Sequence, residues 1–162
     1  MLWQEDVFNI LLATFLGAAI GLERELSGKS AGLRTNLLIC LGAAIFTIIS
    51  KRMIVGNEAT TRVAAQIVTG VGFLGAGALI QDRRGVHGLT TAATIWLVAS
   101  IGMACGAGFR DLAVVSTLIA IIVLAGLLKL AKPLEQYAKK HKTRAFSDDE
   151  DYGGDERREI EE

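Results

Sequence analysis

Apolar residues gather into five long runs separated by short polar connections: 7–22, 36–50, 63–81, 89–106 and 112–128. Each run approaches the ~20 residues a helix needs to cross ~30 Å of hydrocarbon. None alternates strictly between apolar and polar positions, so a membrane β-barrel is not indicated. In lipid every backbone N–H and C=O must be bonded within the segment, which leaves helices as the reading. The pattern therefore predicts an all-α integral membrane protein with five transmembrane helices. Trp3 lengthens the first helix by anchoring its start at an interface. Pro133 marks the end of the fifth, because proline disfavours helix in the residue before it.

The stretch 70–108 organises the rest. Its two apolar runs flank a polar turn, 82–88, and both are dense in Gly, Ala, Ser and Thr. In water that glycine content would weaken a helix by about 1 kcal/mol per residue. In lipid it has a use: helices associate by close backbone approach, which small side chains permit. The helix-packing positions expected on this ground are Gly17, Gly21, Gly70, Gly72, Gly75, Gly77, Gly102 and Gly106. The run from Gly70 to Gly77 could alternatively unwind and present carbonyls to a solute, as broken transporter helices do.

Composition sharpens this picture at the C-terminal end. The 17 basic and 17 acidic residues cancel overall but are unevenly placed. Positions 129–144 are basic and suit the anionic surface of a bilayer. From Ser147 onward acids dominate, with too little apolar content to form a core. The expected organisation is a transmembrane domain, 1–132, and a basic-then-acidic, largely disordered cytoplasmic tail, 133–162. Orientation follows from lysines and arginines. With the N-terminus outside, Arg24, Lys29, Arg34, Arg83, Arg84 and six basic residues of the tail lie inside, eleven against four (Lys51, Arg52, Arg62, Arg110). That bias predicts N-out and C-in. The first six residues carry Glu5 and Asp6 and no Lys or Arg, unlike a cleaved signal peptide. Cys40 and Cys105 would differ in depth by roughly 16 Å, too far for a disulfide.

The two inside turns resemble each other. Leu-Gly-Ala opens both, at Leu16 and Leu74, and Gly-Leu-x-Thr begins both returning helices, at Gly32 and Gly88. Ile39/Ile95, Leu41/Leu97, Ala43/Ala99 and Ile45/Ile101 then match at an offset of 56. Two parallel hairpins plus a fifth helix are the expected architecture, with the repeats related by an axis along the membrane normal. The turns would bring a polar cluster together: Glu23, Arg24, Glu25, Arg34 and Thr35 from the first, Asp82, Arg83, Arg84, Thr90 and Thr91 from the second. Its charges either mark helix ends or pair across the turns, Glu25 with Arg84 among them. Glu23, Glu25 and Asp82 are weak candidates for Mg2+, which takes few carboxylates and keeps several waters. No other cofactor is indicated.

Several classes are set aside. No Asp, Glu, Lys, Arg or His lies mid-span, where ion-coupled pumps usually carry one. Two isolated histidines make no zinc pattern. There is no phosphate-binding loop and no nucleophile elbow, so no catalytic residues are assigned and an enzyme is not expected. No folded basic module supports nucleic-acid binding. The partners expected are membrane lipid, further copies of the chain and other membrane proteins.

The runs GLERE at 21–25, GLRT at 32–35, GVGFLGAGALI at 70–80 and GLTTAATIW at 88–96 resemble the membrane domain of the MgtC/SapB family, and GxxxGxG at 102–108 fits it. The resemblance implies a multi-pass protein of the bacterial inner membrane. It implies a role in magnesium homeostasis and adaptation to low Mg2+, in a family associated with virulence, through regulation of membrane partners. The alternative it carries is transport of Mg2+ or a small solute. It also implies functional weight at Glu23, Arg24, Glu25, Arg34, Thr35 and the second turn, with Thr90 standing where some members have Asn. Members of the MgtC type continue into a folded ACT-like domain where this sequence has a charged tail, so the expectation is a short, SapB-like member.

Overall fold

The computed structural model describes residues 2–53, 58–82 and 85–126. The tail from 133 and the turn residues Arg83 and Arg84 lie outside the described residues. The chain forms a packed unit, Met1–Ile121, and a second unit, Ile122–Glu162, whose described part, 122–126, is helical.

Four helices are α1 (Leu2–Leu26), α2 (Leu33–Arg52), α3 (Glu58–Gly77) and α4 (Leu89–Ala107); a fifth, α5, covers 110–126. Three of them, Trp3–Leu26, Leu33–Arg52 and Leu89–Ala107, are long and apolar enough to cross a membrane. α1 extends well beyond the apolar run that predicted it, taking in Trp3 at one end and Glu23-Arg24-Glu25 at the other. The second polar turn holds the one pair of strands among the described residues. Strands β1 (Ile80–Asp82) and β2 (Gly85–His87) pair antiparallel, Ile80 opposite His87 and Asp82 opposite Gly85.

α1, α2, α4 and α5 each turn a stripe of small, polar and aliphatic residues inward. On α1 it runs Asn9, Ala13, Leu16, Ile20 and Arg24; on α4 it includes Thr91, Ile95, Val98, Gly102 and Cys105. Both follow the 3.6-residue helical period. α5 buries Ala113, Thr117 and Ala120. Large apolar side chains point outward: Phe15, Phe73, Leu118 and Ile122 are all more than half exposed. A water-soluble helix would do the reverse. The outward faces suit lipid, and the inward ones suit close packing.

That packing is tightest where glycines meet backbone. A Cβ on Gly21 would stand 2.8 Å from Leu33 Cα, and one on Gly102 would stand 2.2 Å from the Cys40 carbonyl oxygen. Gly17 abuts Cys40, and Gly106 abuts Ala44 and Thr47. α1 and α2 therefore run antiparallel in contact, whereas α2 and α4 run parallel. Gly75 makes ordinary contact with Ala92 of α4. A Cβ on Gly70, Gly72 or Gly77 would meet nothing within 4 Å among the described residues, so the packing expected of them is not made there.

The α2–α4 register also corrects the cysteine geometry. Gly102 lies beside Cys40, and Cys105 is three residues on, so the two thiols differ in depth by about 4.5 Å rather than 16 Å. The earlier figure assumed that both helices start level; the glycine contacts stagger them instead. Both cysteines are buried and free.

Candidate functional site: the polar end of the bundle

At the end where α1 stops and α2 and α4 begin, three consecutive charged residues are split by helical geometry. Successive positions point about 100° apart, so only one of three can face inward. That one is Arg24, which continues the α1 stripe and is 1% exposed. Its Nε donates to Glu23 Oε2, and Glu23 Oε1 accepts from Ser27 Oγ at 2.8 Å. Among the described residues the η nitrogens of Arg24 have no hydrogen-bond partner.

Glu25 works on the other side. Its Oε2 accepts the Leu33 backbone N–H at 2.8 Å, capping α2 from across the turn. Gly32, the N-cap residue, has no side chain to do this, and a Cβ there would lie 1.8 Å from the Glu25 oxygen. The glycine thus admits the carboxylate that replaces its missing cap. Gly88 stands at the matching position before α4, with φ +91°. Both Gly-Leu-x-Thr motifs therefore place glycine at an N-cap, as the repeat predicted, but with different backbone conformations.

Asn36 was not anticipated from the sequence. It lies one turn inside α2, is fully buried, and donates through Nδ2 to the carbonyls of Ala31 at 2.7 Å and Gly32 at 2.9 Å. Its Oδ1 has no partner. The signal was an amide one turn into an otherwise apolar run. Of the expected cluster, Arg24 and Thr91 face the interior and Glu23 is half-buried, whereas Glu25, Arg34, Thr35 and Thr90 are exposed. Asp82 contributes backbone to β1. A Glu25–Arg84 bridge falls on a residue outside those described. Among the described residues no three His, Cys, Asp or Glu side chains gather to hold a metal ion.

The opposite end carries a second polar set. Arg52 of α2 pairs with Asp6 and lies over the Trp3 ring, 5.3 Å from its centroid. Arg110 donates from Nε to Asn9 Oδ1 at 2.8 Å and lies 4.9 Å from the Phe8 centroid. Lys51 Nζ donates to the Ala107 carbonyl at 2.9 Å. Three of the four basic residues counted against the orientation are thus held by α1 or by the C-terminal end of α4. Between α2 and α3 lies an open apolar cavity of about 520 Å³, with Gly42, Phe46, Gln66, Gly70 and Leu74 among its walls.

Comparison with known proteins decides the family. The profile of the MgtC family matches residues 10–133. This chain belongs to the MgtC family. It is 47% identical over 128 residues to "Protein MgtC" of Brucella abortus (strain 2308), covering 79% of this chain and 53% of that protein. It is 43% identical over 136 residues to "Protein MgtC" of Salmonella typhimurium (strain LT2), covering 84% and 58%. It is 43% identical over 128 residues to "Putative magnesium transporter YhiD" of Escherichia coli (strain K12), covering 74% and 59%. The chain thus spans between half and three-fifths of the length of these relatives. No solved structure matches it. The buried Arg24 and the glycine-capped starts of α2 and α4 lie within the matched segment.

Proposed function

We propose that this chain is a five-pass protein of the bacterial inner membrane, N-terminus outside and C-terminus cytoplasmic, that supports growth when Mg2+ is scarce. It does so without catalysis, by assembling with further copies and regulating other membrane proteins. The observation that carries this reading is the kinship with proteins named MgtC, joined to a polar end built for packing. Glu23 is spent on Arg24 and Ser27, and Glu25 on the start of α2. These carboxylates hold the bundle end together rather than offering themselves to a passing ion.

The second reading is transport of Mg2+ or a small solute, favoured by the name of the relative YhiD. One experiment separates the two. Purified full chain is placed in liposomes containing a Mg2+ indicator, and the same gene is tested for rescue of growth in a strain that fails at low Mg2+. Rescue without Mg2+ influx supports regulation; influx lost on replacing Glu23, Glu25 and Asp82 by their amides supports transport. Absence of rescue removes the regulatory reading.

A further inference from the structure

Arg24 is the largest fully buried side chain among the described residues, and its η1 and η2 nitrogens bond to nothing. These atoms expose less than 1 Å² each, so bulk water does not reach them. A guanidinium closed away with four unused N–H donors is strongly unfavourable unless an acceptor is brought to it. Glu23 does not meet the need, because it takes the Nε edge and turns its second oxygen to Ser27. Glu25 is turned away to the α2 N-terminus. The unused edge is the fork that matches two oxygens of one carboxylate or phosphate group.

We propose that the η edge of Arg24 is a binding site for a phosphate-type oxyanion, supplied by an anionic phospholipid headgroup or by free phosphate. The argument deepens the reading of the polar end as the working site and rests on that end facing the cytoplasmic leaflet. The local charge favours an anion there. Glu23 and Arg24 cancel each other, leaving Lys29 and Arg34 against Glu25 in the same turn, a net positive surrounding. Binding requires the bundle end to open around Arg24, because solvent does not reach its η nitrogens in this arrangement.

The test uses the full chain, stripped of lipid in neutral detergent. Native mass spectrometry and thermal melting are followed while phosphatidylglycerol, phosphatidylcholine or inorganic phosphate is added. The expected result is retention of phosphatidylglycerol, or protection by inorganic phosphate, with no response to phosphatidylcholine. Arg24→Gln should weaken that binding at least tenfold, and Arg52→Gln at the opposite end should leave it unchanged. If Arg24→Gln fails to fold, Arg24→Lys keeps the charge without the fork and should bind several-fold more weakly than the wild type. Protection by phosphate alone assigns the site to the free ion; response to phosphatidylglycerol alone assigns it to lipid. Equal response to phosphatidylglycerol and phosphatidylcholine with none to phosphate, or equal binding by wild type and both Arg24 variants, overturns the proposal. Absence of binding by the wild type with intact growth rescue is failure of this inference alone, and leaves the proposed function standing.

Discussion

A methyl group added at Gly102 would stand 2.2 Å from the Cys40 carbonyl oxygen and 3.0 Å from Ala43 Cβ, whereas one added at Gly42 would meet nothing within 4 Å. The same residue type therefore serves two ends in this chain. At Gly102 it permits backbone contact between parallel helices; at Gly42 it leaves surface open. Overpacking a close helix contact costs typically 1–3 kcal/mol. Removing a glycine from a helix interior gains up to about 1 kcal/mol. Gly102→Leu is thus expected to destabilise the purified protein by at least ~2 kcal/mol, and Gly42→Ala to leave it unchanged or slightly firmer. Thermal melting of the two variants beside the wild type in one detergent checks this. A Gly102→Leu protein melting with the wild type would mean that α2 and α4 do not touch at Cys40.

At the scale of elements, the periodic runs carried the helices plainly. Five apolar runs were readable, and five helices lie on them, because hydrophobic length is a local property. The glycines before α2 and α4 were readable too, as repeated Gly-Leu-x-Thr starts. What could not be read was register. The depths of Cys40 and Cys105 depend on which turn of α4 lies beside which turn of α2, and that is fixed by the fit of Gly102 and Gly106 to the α2 backbone. Nor could a run of three charges, Glu23-Arg24-Glu25, say which one turns inward; the stripe through Ala13 and Ile20 decides it. The small β-hairpin also escaped, since three-residue strands leave almost no periodic signal. The α2 start yields a prediction at this scale. Its cap comes from Glu25, eight residues upstream, and caps are worth about 0.5–2 kcal/mol. Glu25→Ala should lower stability by that amount and raise amide exchange at Leu33 selectively, while Glu25→Gln, which keeps an acceptor oxygen, should lose less. Uniform exchange throughout α2 in the alanine variant would show that the turn, not the cap, sets the helix start.

For the whole molecule, the question is why so much of α3 stays uncovered. Among its described side chains only Val71 and Gly75 are buried, while Phe73 is 77% exposed. α1, α2 and α4 form the tight part of the bundle, and α3 leans on α4 at Gly75–Ala92 and leaves a cavity against α2. Gly70, Gly72 and Gly77 give α3 surfaces where another backbone could approach closely, which is how helices associate in lipid. If copies of the chain assemble as proposed, these open glycines are the positions to expect at the contact. Gly72→Leu and Gly77→Leu meet no described residue at Cβ and line no cavity described above, so each should preserve the melting temperature of the protomer yet shift the protein in mild detergent from oligomer to monomer. Gly102→Leu should do the opposite, lowering stability before it changes size. Light scattering of the purified variants separates the two effects. An oligomer of unchanged mass in both α3 variants would exclude this face from assembly, leaving its glycines to allow local unwinding of α3, the behaviour that the transport reading requires.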